Sequence, residues 1–160
     1  MRYKVVPAVR DVAFLRSVAG TLPLVPGSVE DCCTRIRDGT AVPSRDDART
    51  WLTFVQALGL AAETARGYHR VRDEPSPEEM ATAFRENVFG AREALEALAD
   101  GSAPATEVFE AVRPVVPAWE RNRHADWEAA WQTRVERLLG WAVVFDLVTE
   151  TDGRYERQKA

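Results

Sequence analysis

The sequence contains very few of the side chains that build metal and redox sites, with two cysteines and two histidines among 160 residues. The cysteines, Cys32 and Cys33, are adjacent, and neighbouring side chains on a helix diverge by about 100°, which disfavours a disulfide between them. The histidines, His69 and His124, lie far from the cysteines and from each other, so no zinc-ligand spacing exists. Nucleophile motifs and glycine-rich phosphate loops are also missing. We expect core cysteines in a reducing compartment, no metal, no cofactor and no enzymatic activity.

Long apolar stretches are missing too. The longest runs span a few residues, whereas a membrane-spanning helix needs about 20. Residues 1–7 lack the apolar core of a signal peptide. The composition, 46% hydrophobic and 29% charged, is typical of a protein with a packed core. These features predict a cytoplasmic protein without a membrane partner.

Lysine is scarce, since 19 of the 21 basic residues are arginine. This bias mainly reflects genome composition, but arginine also suits paired hydrogen bonds to phosphate or to guanine. The net charge is nevertheless −4, because residues 76–112 sum to −6 while the rest of the chain sums to +2. This acidic balance weighs against strong nonspecific binding of nucleic acid.

The first half of the chain has the order of elements found in a winged helix. Apolar spacing and stop signals predict helices over residues 11–19, 28–39 and 44–59, and the last two open with a serine as N-cap. Residues 60–71, with a glycine in the turn, predict a short β-hairpin.

A linker at residues 72–77 separates this pattern from a longer, more helical half. That half ends in a second hairpin, for which the Asp-Gly pair at 152–153 is a strong turn signal. Trp119 is placed in a charged loop. The helices are expected over residues 76–99 with a break at Gly90, over residues 106–112 and over residues 126–145.

The two halves end alike. At a constant offset of 87, six of the twenty positions in residues 51–70 match residues 138–157, although the turn glycines are out of step by one. This self-similarity predicts two copies of one unit, in residues 1–74 and 75–160. The alternative is that any helix followed by a hairpin produces such a match. The matched pairs are Leu52 and Leu139, Leu60 and Leu147, Glu63 and Glu150, Thr64 and Thr151, Tyr68 and Tyr155, and Arg70 and Arg157.

Residues 57–70, ALGLAAETARGYHR, form a recognition-type helix end that runs into a wing, and they resemble archaeal winged-helix DNA-binding proteins. The preference for arginine and the acidic balance resemble haloarchaeal members. The resemblance covers residues 28–72 well and residues 88–157 less closely. It implies an α+β, mainly helical fold of two tandem winged-helix modules, each ending in a short β-hairpin wing. It also implies DNA binding, often in transcriptional control, although many such modules bind proteins.

Three groups of polar side chains are candidates for contacting double-stranded DNA. The first follows the outward face of the third helix, where a recognition helix reads base edges. The other two lie on the wings, where arginines anchor phosphates. The groups are Arg45, Arg49, Thr53 and Gln56 on the helix; Arg66, Arg70 and Arg72 on or after the first wing; and Arg154, Arg157 and Lys159 in the second wing. The alternative is ordinary surface residues without a partner.

A protein–protein interaction adaptor built from winged helices is the alternative function. The acidic segment 76–112 favours it, because negative charge beside a DNA face repels phosphate. Asp46 and Asp47, at the start of the predicted recognition helix, also depart from the pattern of a strong DNA binder.

Two apolar residues of the 126–145 helix, Trp141 and Val144, fall outside its main apolar stripe. Leaving both in water forgoes roughly 4–5 kcal/mol of burial free energy. We therefore expect them in an interface, and a homodimer is favoured over a contact between the modules.

Overall fold

Two sets of helices, each followed by a β-hairpin, build the chain. The structure, a computed structural model, describes residues 3–123 and 125–158. It divides into two compact units, Met1–Phe89 (unit 1) and Gly90–Ala160 (unit 2). Within the described ranges, none of the helices has the length and apolarity that crossing a bilayer requires.

Each of the four helices of unit 1 begins with an N-cap residue, whose side chain accepts a hydrogen bond from a backbone N–H of the first turn. Asp11 and three serines fill this role, and Ser76 forms a full capping box with Glu79. The elements are α1 (Val12–Gly20), α2 (Val29–Gly39), α3 (Arg45–Ala57), β1 (Ala61–Thr64), β2 (Gly67–Arg70) and α4 (Pro77–Asn87). The three predicted helices and the hairpin of the first half are confirmed.

Helix α3 forms the centre of unit 1, because it packs against α1, α2, α4 and β1. Its Leu52, Phe54 and Val55 are buried, as are Leu15 of α1 and Ile36 of α2. A helix that is apolar on most sides is held by neighbours on most sides. Solvent therefore reaches α3 along one narrow stripe, and that stripe carries the predicted DNA-reading residues.

A third strand position completes the wing of unit 1. Gly27, between α1 and α2, pairs antiparallel with Tyr68 of β2. Two backbone hydrogen bonds of 2.8 Å join the two residues, one in each direction. The order helix, strand, helix, helix, hairpin is that of a winged helix.

Helix α4 belongs to unit 1 by its contacts. The side-chain amide of Asn87 donates to the carbonyl of Ala57 at the end of α3, at 3.0 Å. Tyr3 forms a parallel bridge with Val88, and the backbone N–H of Phe89 donates to the Tyr3 carbonyl at 2.8 Å. The compact units thus divide after Phe89, whereas the boundary between residues 74 and 75 remains a prediction about the repeated module.

Unit 2 repeats the same order with insertions. Its sheet has three antiparallel strands in the order β3-β5-β4, so β3 lies beside β5 as Gly27 lies beside β2. The elements are α5 (Ala91–Glu96), β3 (Ala103–Pro104), α6 (Ala105–Val112), a 3₁₀ turn (Arg113–Val115), α7 (Ala118–Arg123), α8 (Trp127–Val144), β4 (Val148–Thr151) and β5 (Arg154–Arg157).

The prediction that Trp119 lies in a loop is wrong, because Trp119 belongs to α7. Helix α6 ends at Val112, and Pro114 occupies an early position of the 3₁₀ turn, where its missing N–H is not needed. The carbonyl of Pro117 accepts the first hydrogen bonds of α7, from the N–H groups of Glu120 and Arg121.

The C-terminal ends of α3 and α8 form the same backbone hydrogen bonds, between residues that correspond at the offset of 87. The N–H of Leu60 donates to the carbonyl of Val55, and the N–H of Leu147 donates to that of Ala142, both at 2.9 Å. This is the Schellman pattern of helix termination. All four hairpin strands are also placed at the same offset. The structure therefore confirms that the two hairpins, and the helix ends that precede them, repeat one backbone arrangement.

Candidate nucleic-acid interface

The exposed stripe of α3 is concentrated in its first two turns. Arg45 and Arg49 are exposed, whereas Thr53 and Gln56, further along the helix, are half-buried. In a winged helix, residues near the start of this helix reach the bases. The geometry therefore favours the two arginines over Thr53 and Gln56 as groups that meet a duplex.

Arg45 is held by an acidic side chain of α2. Its Nε lies 2.9 Å from both carboxylate oxygens of Glu30, and its Nη2 makes a further contact with the same group. This hydrogen-bonded pair holds the pKa of Glu30 below its usual value and raises the pKa of Arg45. A bidentate ion pair of this kind uses most of the N–H groups on one edge of the guanidinium. Arg45 is therefore paired with a residue of α2.

Arg49, in contrast to Arg45, forms no ion pair with a described residue. Within the described part of the chain, no acidic group lies within 4 Å of its guanidinium. Its charge still reaches the carboxylate of Glu30 and the phenol of Tyr68 on β2. Burial and a hydrogen bond to Glu63 raise the pKa of Tyr68, and Arg49 acts weakly in the other direction. Arg49 is therefore an exposed cation of α3 within electrostatic reach of Tyr68 on β2, and no described acidic group pairs with it.

Negative charge at the start of α3 limits this surface. Asp46 is 97% exposed, and one of its oxygens is 3.9 Å from Arg45. Asp47 accepts a hydrogen bond from the Ser44 hydroxyl at 2.9 Å. Both carboxylates suit the positive end of a helix. Together with Glu30 they outnumber Arg45 and Arg49 by one, so these five side chains sum to a charge of −1.

The three arginines of the first wing differ in their surroundings. Arg66 is exposed in the turn between β1 and β2, and Arg72 is exposed just after β2. Arg70 is half-buried, and its guanidinium lies beside Gly20 at the C-terminus of α1, where the helix dipole favours a cation. Among these three, Arg66 and Arg72 are the exposed ones.

The second wing is more constrained. Arg154 donates from Nε to the Ser102 hydroxyl at 3.2 Å and from Nη2 to the Ser102 carbonyl at 2.9 Å. Arg157 is exposed in β5, and Lys159 lies outside the described residues. Three acidic residues share this hairpin, namely Glu150, Asp152 and Glu156. The second wing therefore does not repeat the positive balance of the first.

The sequence did not reveal that α7 packs over the start of α8. The indole N–H of Trp131 donates to Glu120 of α7 at 3.1 Å, and Arg121 of α7 lies 4.9 Å above the ring of Trp127. From the preceding 3₁₀ turn, Arg113 donates to Glu128 at 2.8 Å. These contacts join residues up to fifteen positions apart, so helix periodicity alone carries no sign of them.

Trp141 is fully buried in a single chain, and Val144 is half-buried. The Trp141 ring stacks on that of Phe145, with centroids 5.8 Å apart and planes inclined by 23°. Helix α8 has neighbours on several sides, because α5, α6, α7 and β4 all contact it. No second copy is needed to remove Trp141 from water, and an interface at Trp141 and Val144 stays a prediction.

Comparison with known families gives one match. A family model described as "Halobacterial double winged helix domain" matches residues 1–160, the whole chain. No curated protein and no solved structure matches it.

Proposed function

The chain belongs to the halobacterial double winged helix family, and from this membership we propose that it is a DNA-associated regulatory protein that docks on duplex DNA through unit 1. A winged-helix family suggests a DNA-binding type of role. The observation that carries the proposal is Arg49, an exposed arginine between α3 and the wing that forms no ion pair with any described residue.

Binding would proceed by docking and charge neutralisation, without a covalent step. The first turns of α3 would enter the major groove, where Arg49 can donate two hydrogen bonds to a guanine or one to a phosphate. Arg66 and Arg72 would contact the phosphate backbone and fix the orientation of the unit. Arg45, Arg70 and Arg154 already contact other residues of the chain, so we expect each of them to contribute less to duplex binding than an exposed, unpaired arginine would.

The first prediction is a moderate salt dependence that involves Arg49. Three phosphate contacts, from Arg49, Arg66 and Arg72, predict a slope of log affinity against log salt of about −2.7, or roughly a 40-fold loss between about 50 and 200 mM salt. Arg49→Ala is expected to weaken binding about tenfold and to reduce the slope by about 0.9. A fluorescence-anisotropy titration of a labelled duplex at both salt concentrations measures these values.

Arg92→Ala is the matched control for that titration, since Arg92 is an exposed arginine on α5 of unit 2. It should leave the affinity within about twofold, because it removes the same charge from a different unit. Absence of binding by the wild-type chain at low salt would reject the proposal. Equal losses in the two variants would mean that Arg49 has no special position.

The second prediction concerns the ion pair that holds Arg45. Glu30→Gln removes the carboxylate and frees the guanidinium, so the affinity for a duplex should rise about fivefold and the salt slope should steepen by about 0.9. Asp31→Asn is the matched control, because Asp31 is one position away and pairs with Arg35 of α2 at 2.9 Å. If both variants gain equally, general loss of negative charge explains the result and Arg45 plays no part.

A protein-binding adaptor remains the second candidate function, and the surface of unit 2 favours it. A groove of about 580 Å³ between α6 and α8 is lined by Glu107, Glu110 and Glu128. Near it in sequence, Val115 and Trp119 are 41% and 50% exposed. A pull-down with and without nuclease distinguishes the candidates. Nuclease-resistant partners that Trp119→Ala loses, in a chain that binds no duplex, would favour the adaptor.

A further inference from the structure

The second unit repeats the backbone of the first but not its recognition surface. The four stripe positions of α3 correspond, at the offset of 87 residues, to four residues of α8, and none of these carries a positive charge. Arg137 is the exposed arginine of α8, and it takes the place of Thr50 at the edge of the stripe. The stripe positions correspond as Arg45 and Gln132, Arg49 and Glu136, Thr53 and Gly140, and Gln56 and Val143.

The most important of these changes is the one at Arg49. A carboxylate, Glu136, is exposed at the position where unit 1 has its unpaired guanidinium. Near a phosphate backbone, an acidic group repels where an arginine attracts. The sign of the charge is therefore reversed at the residue that carries the proposed contact in unit 1.

The connection before the helix also differs. In unit 1, residues 40–44 lead from α2 to α3, whereas in unit 2 residues 113–126 separate α6 from α8 and contain the 3₁₀ turn and α7. Helix α8 also starts five residues before the position equivalent to Arg45, an extension of about 7.5 Å. The extension and the inserted α7 occupy the end of the helix that enters the groove in a winged helix.

The contacts of α7 bring together aromatic and charged groups at that end. The Trp131–Glu120 hydrogen bond, the Arg113–Glu128 ion pair and the Arg121–Trp127 stacking all involve the first five residues of α8. Trp131 is buried, and Trp127 is half-buried. Helix α7 therefore packs on the Trp127 and Trp131 side of these turns, while Glu136 further along α8 is exposed.

We propose that the chain makes one duplex contact, through unit 1, and that the reversed charge at Glu136, with α7 packed beside the start of α8, keeps the equivalent surface of unit 2 from binding a duplex. This inference rests on the proposed function and sharpens it. The target of one chain is then a single major-groove segment, rather than two segments read by two recognition helices.

Hydroxyl-radical footprinting on a long duplex tests the inference, using the wild-type chain and the matched variants Arg49→Glu and Glu136→Arg. Each variant reverses one exposed charge at equivalent positions of the two units. One chain is expected to protect a single stretch of about one helical turn, roughly 10 base pairs. Arg49→Glu should erase the protection, and Glu136→Arg should change the affinity by less than about twofold.

The possible outcomes separate the inference from the proposed function. Two protected stretches per chain, or a gain of about tenfold from Glu136→Arg, would overturn the inference while leaving DNA binding by the chain intact. No binding of the labelled duplex by the wild-type chain in the anisotropy titration at low salt would overturn the proposed function, and the inference with it. Circular dichroism of both variants confirms that the folded helical content is kept.

Discussion

Replacing Trp141 by alanine is expected to lower the free energy of unfolding by about 3–5 kcal/mol, the range for removing a large aromatic side chain from a packed core. Trp141 is completely inaccessible to solvent and stacks on Phe145. At the offset of 87 it corresponds to Phe54, which is also completely buried, next to Trp51. Both units thus place a large ring at the same point of their central helix.

Urea denaturation followed by circular dichroism measures the loss, with Val144→Ala as the control. Val144 is half-buried and smaller, so its truncation should cost only about 1 kcal/mol. A loss within about 1 kcal/mol at Trp141 as well would contradict the core role. The two compact units can unfold in separate steps, so the transitions are to be fitted individually.

The same denaturation experiment tests the interface expected from the sequence. If Trp141 is buried within one chain, the midpoint should not depend on protein concentration. If it lies between two copies, the midpoint should rise with concentration, because association stabilises the folded state by mass action. Light scattering adds an independent criterion, since a monomer has a mass of 17.9 kDa.

The repeat was predictable because its signals are local. Helix termination, strand length and the hairpin turn are each set by a few neighbouring residues, and these recur at the offset of 87. At the helix ends, Gly59 and Asp146 correspond, and both take the left-handed conformation, with φ of +87° and +58°. Aspartate tolerates this region better than most residues do. The match therefore extends to a pair of residues that differ in identity.

The mismatch of the turn glycines also has a structural explanation. Both hairpins use two turn residues between their strands. In the second, Asp152 and Gly153 both have positive φ, as a type I′ turn requires. In the first, Ala65 and Arg66 are not among the described residues with positive φ, and Gly67 follows them with φ of +132°. The two copies thus close the same hairpin by two turn types that need glycine at different positions.

The functional surface was less predictable, because its decisive contacts join distant residues. A helical projection of α3 shows that Arg45 points outward, but it cannot show that Glu30 of α2 reaches it. The same limit applies to Arg154, whose partner Ser102 precedes it by 52 positions. Periodicity identifies which side of a helix faces solvent. The partners that neutralise an exposed charge depend on how the helices pack.

Replacing Gly67 by alanine is expected to destabilise unit 1 by roughly 3 kcal/mol or more, from strain in the backbone and the loss of strand pairing. The φ of +132° at Gly67 is rarely adopted by residues with a side chain. A Cβ at this position would lie 2.2 Å from the carbonyl oxygen of Gly27 and 2.8 Å from its carbonyl carbon. Both atoms belong to backbone, so a side-chain rotation cannot relieve the clash.

Relief requires the segment around Gly27 to move away from β2. That movement breaks the two 2.8 Å hydrogen bonds between Gly27 and Tyr68, each worth about 0.5–1.5 kcal/mol. It also shifts the wing relative to α3, where Tyr68 lies close to Arg49. We therefore expect Gly67→Ala to weaken duplex binding as well as stability, if unit 1 carries the DNA contact.

Gly153→Ala is the matched control, because Gly153 lies in the equivalent hairpin of unit 2. It has φ of +79°, and no described atom lies within 4 Å of the position that its Cβ would take. Only the left-handed backbone penalty applies, about 1–2 kcal/mol. Urea denaturation of the two variants compares them directly. Equal losses would show that the backbone conformation alone matters, and that the close approach of Gly27 to β2 contributes nothing to the stability of the wing.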